Sequence, residues 1–161
     1  MQYTNTRIVR ADSAFALGTH GCVVVMVWRG DATMERLNAG TALIATHAVE
    51  VGTSVGVVSV IEAGAPPPDA EGIERVAADQ RELASIMWGF AVVMEDPEPA
   101  YVMDAGYAMD DVRGVPLKLR HCADAREATA WLVSQWPPSA QEPPTREGLL
   151  EAIAQVRSAI G

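Results

Sequence analysis

The sequence predicts an α/β protein: a mixed, mainly parallel sheet of four or five strands with helices packed on it, followed by a C-terminal amphipathic helix. Three observations lead there. Apolar runs of strand length at 22–28, 55–61 and 90–94 alternate with segments of helical periodicity. Strands separated by helices need crossover connections, which are the mark of parallel pairing. The runs are also apolar almost throughout rather than alternating, as strands covered on both faces must be.

The elements follow in order. Residues 6–17 alternate loosely and read as a first, partly exposed strand. Gly18, Thr19, His20 and Gly21 have the length and composition of a hairpin turn, which places an antiparallel pair at the front of the sheet. After the 22–28 strand, Asp31 can cap a helix whose buried stripe is Met34, Leu37, Thr41, Ile44 and Ala48, and Gly52 stops it. The 55–61 strand leads into a loop of turn residues, Glu62-Ala63-Gly64-Ala65-Pro66-Pro67-Pro68-Asp69. A loop leaving a parallel strand for a helix is where sites in such sheets usually open.

A second helix carries Ile73, Val76, Ala77, Leu83, Ala84 and Met87, with Gln80 interrupting the stripe and Gly89 ending it. Beyond the 90–94 strand, Pro97 and Pro99 precede a short helix with Tyr101, Val102, Ala105, Ala108, Met109 and Val112. Residues 115–120 form a weaker strand that Pro116 pushes to an edge. Asp124 and Glu127 resemble a capping box before a helix presenting Ala128, Trp131 and Leu132. The domain then spans 1–136, a stiff Pro-rich linker 137–144, and a docking helix 145–161 with Leu149, Ile153, Val156 and Ile160 on one face.

Composition narrows the function classes. The 161 residues are 49% hydrophobic, enough for a core, and carry a net charge of −9. That charge disfavours nucleic-acid backbones and anionic membrane surfaces. No run approaches the length of a membrane span, and the N-terminal stretch has no apolar secretion-type region, so a cytoplasmic location is expected. Lys118 is the only lysine beside eleven arginines, a usage typical of GC-rich bacterial genomes. Neither a GxxxxGK[ST] loop nor a GxGxxG after a strand occurs, which leaves a nucleotide site without support.

The order of elements, the apolar strand ending in Trp28-Arg29-Gly30-Asp31 and opening a helix, and the 91–95 segment followed by Gly106-Tyr107-Ala108 and Arg113 resemble the STAS-like domains. These include the bacterial anti-sigma-factor antagonists and their SpoIIAA-like relatives, and the resemblance covers about residues 6–136. It implies a protein-binding module. In the antagonists a Ser or Thr opening the helix after the central strand is phosphorylated, and charge and desolvation then break the complex. The corresponding stretch 62–72 holds no Ser, Thr or Tyr, so the familiar switch is missing here.

Several side-chain groupings can carry chemistry. His20 with Cys22, and His121 with Cys122, would supply a zinc site only if the first turn met the last strand, and their spacing matches no zinc signature. Cys122 is the better candidate nucleophile, since a following helix N-terminus would lower its pKa. Glu95, Asp96 and Glu98, and Asp110 with Asp111, are acidic clusters whose plainer reading is a solvated face. Arg29 and Arg113 lie at element ends, where they bind an anion or pair with Asp31 or Asp110.

The expectation is a non-catalytic interaction or regulatory module with no metal or cofactor. Its contact residues would be Glu62, Asp69, Arg29 and Arg113, with Leu149, Ile153, Val156 and Ile160 docking on the same chain, a second copy or another protein. One alternative is a small-molecule or lipid carrier with a cavity lined by Met87, Met94, Met103 and Met109, flexible side chains suited to an adaptable pocket. The other is an enzyme using Cys122 or an acidic cluster.

Overall fold

Valine fills the middle of the sheet: Val23, Val24, Val25 and Val27, and Val55, Val57, Val58 and Val60, are all 0% exposed. The structure is a computed structural model that describes residues 5–96, 118–137 and 142–161. Its strands are β1 (Thr6–Ala11), β2 (Phe15–His20), β3 (Val23–Trp28), β4 (Val55–Ile61), β5 (Met87–Met94) and β6 (Leu119–Cys122). They form one six-stranded sheet in chain order. The first two pairings are antiparallel and the remaining three parallel. Helices α1 (Met34–Val51) and α2 (Ala70–Leu83) cover the face of Met26, while α3 (Ala125–Ser134) and α4 (Arg146–Ser158) cover the face of Val25.

The mixed, mainly parallel sheet is as the periodicity predicts, but with six strands instead of four or five. The stretch 6–17 is not one strand. Asp12 accepts a hydrogen bond from the Ala14 N–H at 2.7 Å and donates its own N–H to the Phe15 carbonyl at 2.9 Å, so an Asp-anchored turn splits it. Asp12's carboxyl is held below its usual range, first by that Ala14 hydrogen bond and then by Arg36 and Arg10. The next turn is correspondingly tighter. Gly18, Thr19 and His20 lie within β2, and the chain reverses over Gly21 and Cys22, with Gly21 at φ 58°.

Helix boundaries shift for similar local reasons. Thr33, not Asp31, caps α1, its hydroxyl accepting from the Arg36 N–H, while the Asp31 carbonyl accepts from the Arg36 side chain. The helix buries Leu37, Gly40, Leu43, Ile44, His47 and Val51; Met34, Thr41 and Ala48 are only half-buried. Gly52 ends it in the left-handed region at φ 71°, as expected. Met87 and Gly89 belong to β5 and not to α2, which stops at Leu83 before a 3-10 turn (Ala84–Ile86). Trp88 lies across Gly56, where an added Cβ would be 2.5 Å from the indole, and the β4–β5 register shifts at that point. β6 is the edge strand anticipated for this part of the chain. Asp124 caps α3 by accepting from the Glu127 N–H at 2.9 Å. The short helix expected around 101–112, together with Arg113 and residues 115–117, lies outside the described residues.

The C-terminal helix is part of the core of its own chain. Leu149 and Val156 are 0% exposed, Ile153 3% and Ile160 7%, packed on β2, β3 and α3. A stripe buried in this way is not left over for another protein or a second copy. Each such side chain contributes about 1.5–3 kcal/mol by leaving water. Close approach depends on Gly18: a Cβ there would lie 2.7 Å from Val156 Cγ2 and 2.8 Å from the Arg7 carbonyl oxygen. Gly18→Ala is expected to lower stability by about 1–3 kcal/mol through overpacking. Leu149→Ala should cost about 2–5 kcal/mol through a cavity. Urea unfolding of both variants measures this; an unchanged midpoint for Leu149→Ala would show the helix undocked in solution.

Candidate functional site

The carboxyl ends of β3, β4 and β5 deliver Arg29, Glu62 and Glu95 to one end of the sheet. Arg29 grips Glu62 with two contacts, Nε to Oε1 at 2.6 Å and Nη2 to Oε2 at 3.4 Å. Arg157, from the last turn of α4, reaches Glu62 at 3.5 Å and Glu95 at 3.1 Å. Arg29 also points Nη1 at the Ile160 carbonyl, 3.5 Å away. Glu62 is therefore no free contact group: its side chain is 12% exposed and shared by two arginines. Arg29 pairs with Glu62 rather than with Asp31, and Asp110 lies outside the described residues. Asp69 is engaged as the cap of α2, accepting from the Gly72 N–H at 2.8 Å. Nothing in the sequence pattern singled out Arg157, because a C-terminal-turn arginine on an amphipathic helix looks like any solvated cation.

Between the α1–α2 layer and the sheet lies a half-open cavity of about 150 Å³. Met26 and Trp28 of β3, Phe90 and Met94 of β5, and Leu37 and Ile44 of α1 supply much of its apolar wall. It exists because α2 rests chiefly on α1 and on the 3-10 turn, with little direct packing on the strands. The inward stripe of α2, Ile73, Val76, Gln80 and Leu83, faces the gap. Ala65, Pro66 and Pro68 of the 62–69 loop border it. Met87 and Met94 do line a cavity, as the carrier alternative requires; Met103 and Met109 lie outside the described residues.

The polar groups in this wall are few. The Trp28 indole N–H donates to Ser59 Oγ at 3.0 Å inside the core. Asp79 accepts from the Thr41 hydroxyl at 2.8 Å and pairs with Arg75 at 3.0 Å. His121 of β6 faces the cavity, half-buried, and burial lowers its pKa. Gln80, the residue that interrupts the helical stripe, is buried at 8% exposure within the wall.

The thiols and imidazoles do not assemble. His20 and Cys22 lie beside β2 and β3, His121 and Cys122 on β6, and four strand spacings separate β2 from β6, about 19 Å. Among the described residues no group of three His, Cys, Asp or Glu side chains could hold a metal. His121 and Cys122 point to opposite sides of their strand, so the imidazole cannot serve the thiol. Burial pushes Cys22 up to about 12 and Cys122 up to about 11, where Glu127 adds to the effect. That reverses the expectation of an activated Cys122. Of the acidic clusters, Glu95 is bound to Arg157, while Glu98, Asp110 and Asp111 lie outside the described residues.

No protein-family model matches the sequence, and no curated protein matches it. One solved structure is similar. It is an uncharacterised protein from the DUF3478 family, with a SpoIIAA-like fold, from Shewanella loihica PV-4. The two share 14% identity over 74% of this chain and 94% of that one, with a TM-score of 0.52. This chain has a SpoIIAA-like fold. The likeness extends to architecture, the level at which the STAS-like resemblance was drawn from the sequence. In this SpoIIAA-like frame the 62–72 stretch, devoid of hydroxyls, forms the loop and first turn of α2. No helix among the described residues is long and apolar enough to cross a membrane.

Both thiols should resist a disulfide reagent at pH 7 in the folded chain and react within seconds in denaturant. A raised folded-state pKa against an unfolded value near 9 also means that stability holds below pH 9 and falls as pH rises towards 11–12. Melting curves of the wild type and a Cys22→Ala variant from pH 8 to 10.5 check this; equal slopes would refute it. A second expectation concerns Glu62→Ala. It should destabilise by about 1 kcal/mol, since both arginines remain partly solvated, and by less in 1 M salt. Paired denaturation curves at low and high salt measure that difference.

Proposed function

We propose that this chain is a non-catalytic binding domain that holds a small apolar molecule between α2 and the sheet. The observation that carries the reading is the half-open cavity of about 150 Å³, mainly apolar in its described lining, between α2 and the parallel strands. An apolar space of this size favours an apolar occupant over water, because water needs two to four polar partners. Three methionines in the wall, Met26, Met87 and Met94, can adjust to the shape of a guest. The candidate reactive groups support binding over catalysis. The thiols are buried with raised pKa values, and Glu62 and Asp79 are bound to arginines.

A second reading, a regulatory contact with another protein, draws on the 62–69 loop. Ala63, Gly64, Pro66 and Pro67 are exposed, while the loop ends are fixed by the Glu62 network and the Asp69 cap. Ala65, Pro66 and Pro68 also border the cavity, so a partner seated there would sense its occupancy.

The test is a benzene titration of the full chain labelled with 13C at the methionine methyls. Saturable shifts of Met26, Met87 and Met94 are expected, with a dissociation constant on the order of 1 mM. Met34, outside the wall, should stay still. A Val76→Phe variant, which fills the space, should abolish the response. Absence of saturable shifts in the wild type would defeat the proposal.

A further inference from the structure

Gln80 is the outlier in the cavity wall. It sits on the inward stripe of α2 between Val76 and Leu83, and it is 8% exposed. No hydrogen bond joins its side-chain amide to any described residue. Among the described residues the buried side-chain nitrogen or oxygen without a partner is Trp88 Nε1, so the unpaired Gln80 amide reaches the open space of the cavity. Its neighbour Asp79, at 7% exposure, shows the usual remedy: the Thr41 hydroxyl and the Arg75 guanidinium engage its carboxylate. Gln80 has no such partner among the described residues. On this helix the polar Asp79 and Gln80 are more deeply buried than the apolar Ile73, Val76 and Leu83, which are half-exposed. An amide in that position is available to an occupant of the cavity.

We infer that the cavity recognises a neutral molecule about the size of one aromatic ring, bearing a single hydroxyl or amide-type group that hydrogen-bonds to the Gln80 side chain. This rests on the binding-domain reading above and names its ligand class. Size follows from volume, since an apolar cavity of about 150 Å³ takes benzene. Neutrality follows from the wall. Among the described lining residues none is Arg or Lys, so a carboxylate or phosphate meets no counter-charge. The one carboxylate among those described residues, Asp79, is already compensated by Arg75, so an ammonium group gains little. A glutamine amide offers both donor and acceptor, which suits a hydroxyl or an amide alike. His121 is another uncharged polar group in the same wall, across the sheet on β6, while the Thr41 and Ser59 hydroxyls already have partners. Trp28 and Phe90 provide ring surface for an aromatic guest.

Phenol, benzene and benzoate distinguish the elements of this inference, with binding to the full chain read from the methionine methyl shifts. Phenol should bind roughly five- to tenfold more tightly than benzene, the yield of about one hydrogen bond, and benzoate should bind more weakly than either at pH 7. Gln80→Leu should remove the preference for phenol and leave benzene binding intact. Gln80→Met, unbranched and without the amide, makes the same comparison if the leucine variant does not fold. Equal affinities for phenol and benzene in the wild type would overturn the Gln80 assignment while leaving the cavity reading standing, and would mean that water satisfies the amide. Tighter binding of benzoate than of phenol would overturn neutrality. Failure of all three probes to bind would remove the binding-domain reading and this inference together.

Discussion

Neither face of β3, β4 or β5 offers water a polar surface, so both sides of the sheet have to be covered. That requirement organises the molecule. Right of way on the Met26 face goes to α1 and α2, the crossover helices between parallel strands. On the Val25 face the crossover helices leave the strands bare, and α3 and α4 close it. The terminal helix is thus required by the valines beneath it. Its amphipathic stripe, which in isolation looks like an offer to a partner, matches an equal and opposite demand from β2 and β3.

The ion-pair network at the strand ends follows from that docking. Once α4 lies on the sheet, its last turn reaches the carboxyl ends of β4 and β5, and Arg157 meets Glu62 and Glu95 there. Arg29 closes the other side of Glu62 and touches the Ile160 carbonyl. A cation near a helix C-terminus is itself favourable. The network joins β3, β4, β5 and α4 at the base of the 62–69 loop, which lets a loop made of Ala, Gly and Pro stand exposed from a fixed footing. Individually the pairs are weak because the arginines are partly solvated. Their value lies in register, since Glu62 accepts from elements far apart in the chain.

Much of the architecture was legible because it rests on periodicity. The 55–61 strand, the Gly52 stop, the Asp124 cap and the α4 stripe all depend on local chemistry. What was not legible depended on partners distant in sequence. Residues 6–17 read as one strand because a three-residue turn held by Asp12 carries neither Gly nor Pro. Gly89 looks like a helix stop, yet its lack of a side chain serves Leu132 and Trp131 of α3, which pack against it. Arg29 had Asp31 two residues on in sequence and pairs instead with Glu62, which only the parallel β3–β4 pairing brings within reach. Gln80 was visible as a break in a stripe, but only the stand-off of α2 gives the break a meaning.

That stand-off is the step from fold to function. A helix whose inward stripe is Ile, Val and Leu normally sinks onto its sheet until the apolar residues are buried, because dispersion and water release both reward closure. Here α2 leans on α1, Asp79 ties it to Thr41, and Asp69 fixes its start above the loop. Closing the remaining gap would press the Gln80 amide into Phe90, Val92 and the methionines with no partner for its hydrogen bonds. The polar residue in the stripe therefore opposes collapse as well as offering a contact. A leucine at that position would favour a helix seated on the sheet and a filled core; a glutamine favours a helix held off it, with a space left between the two.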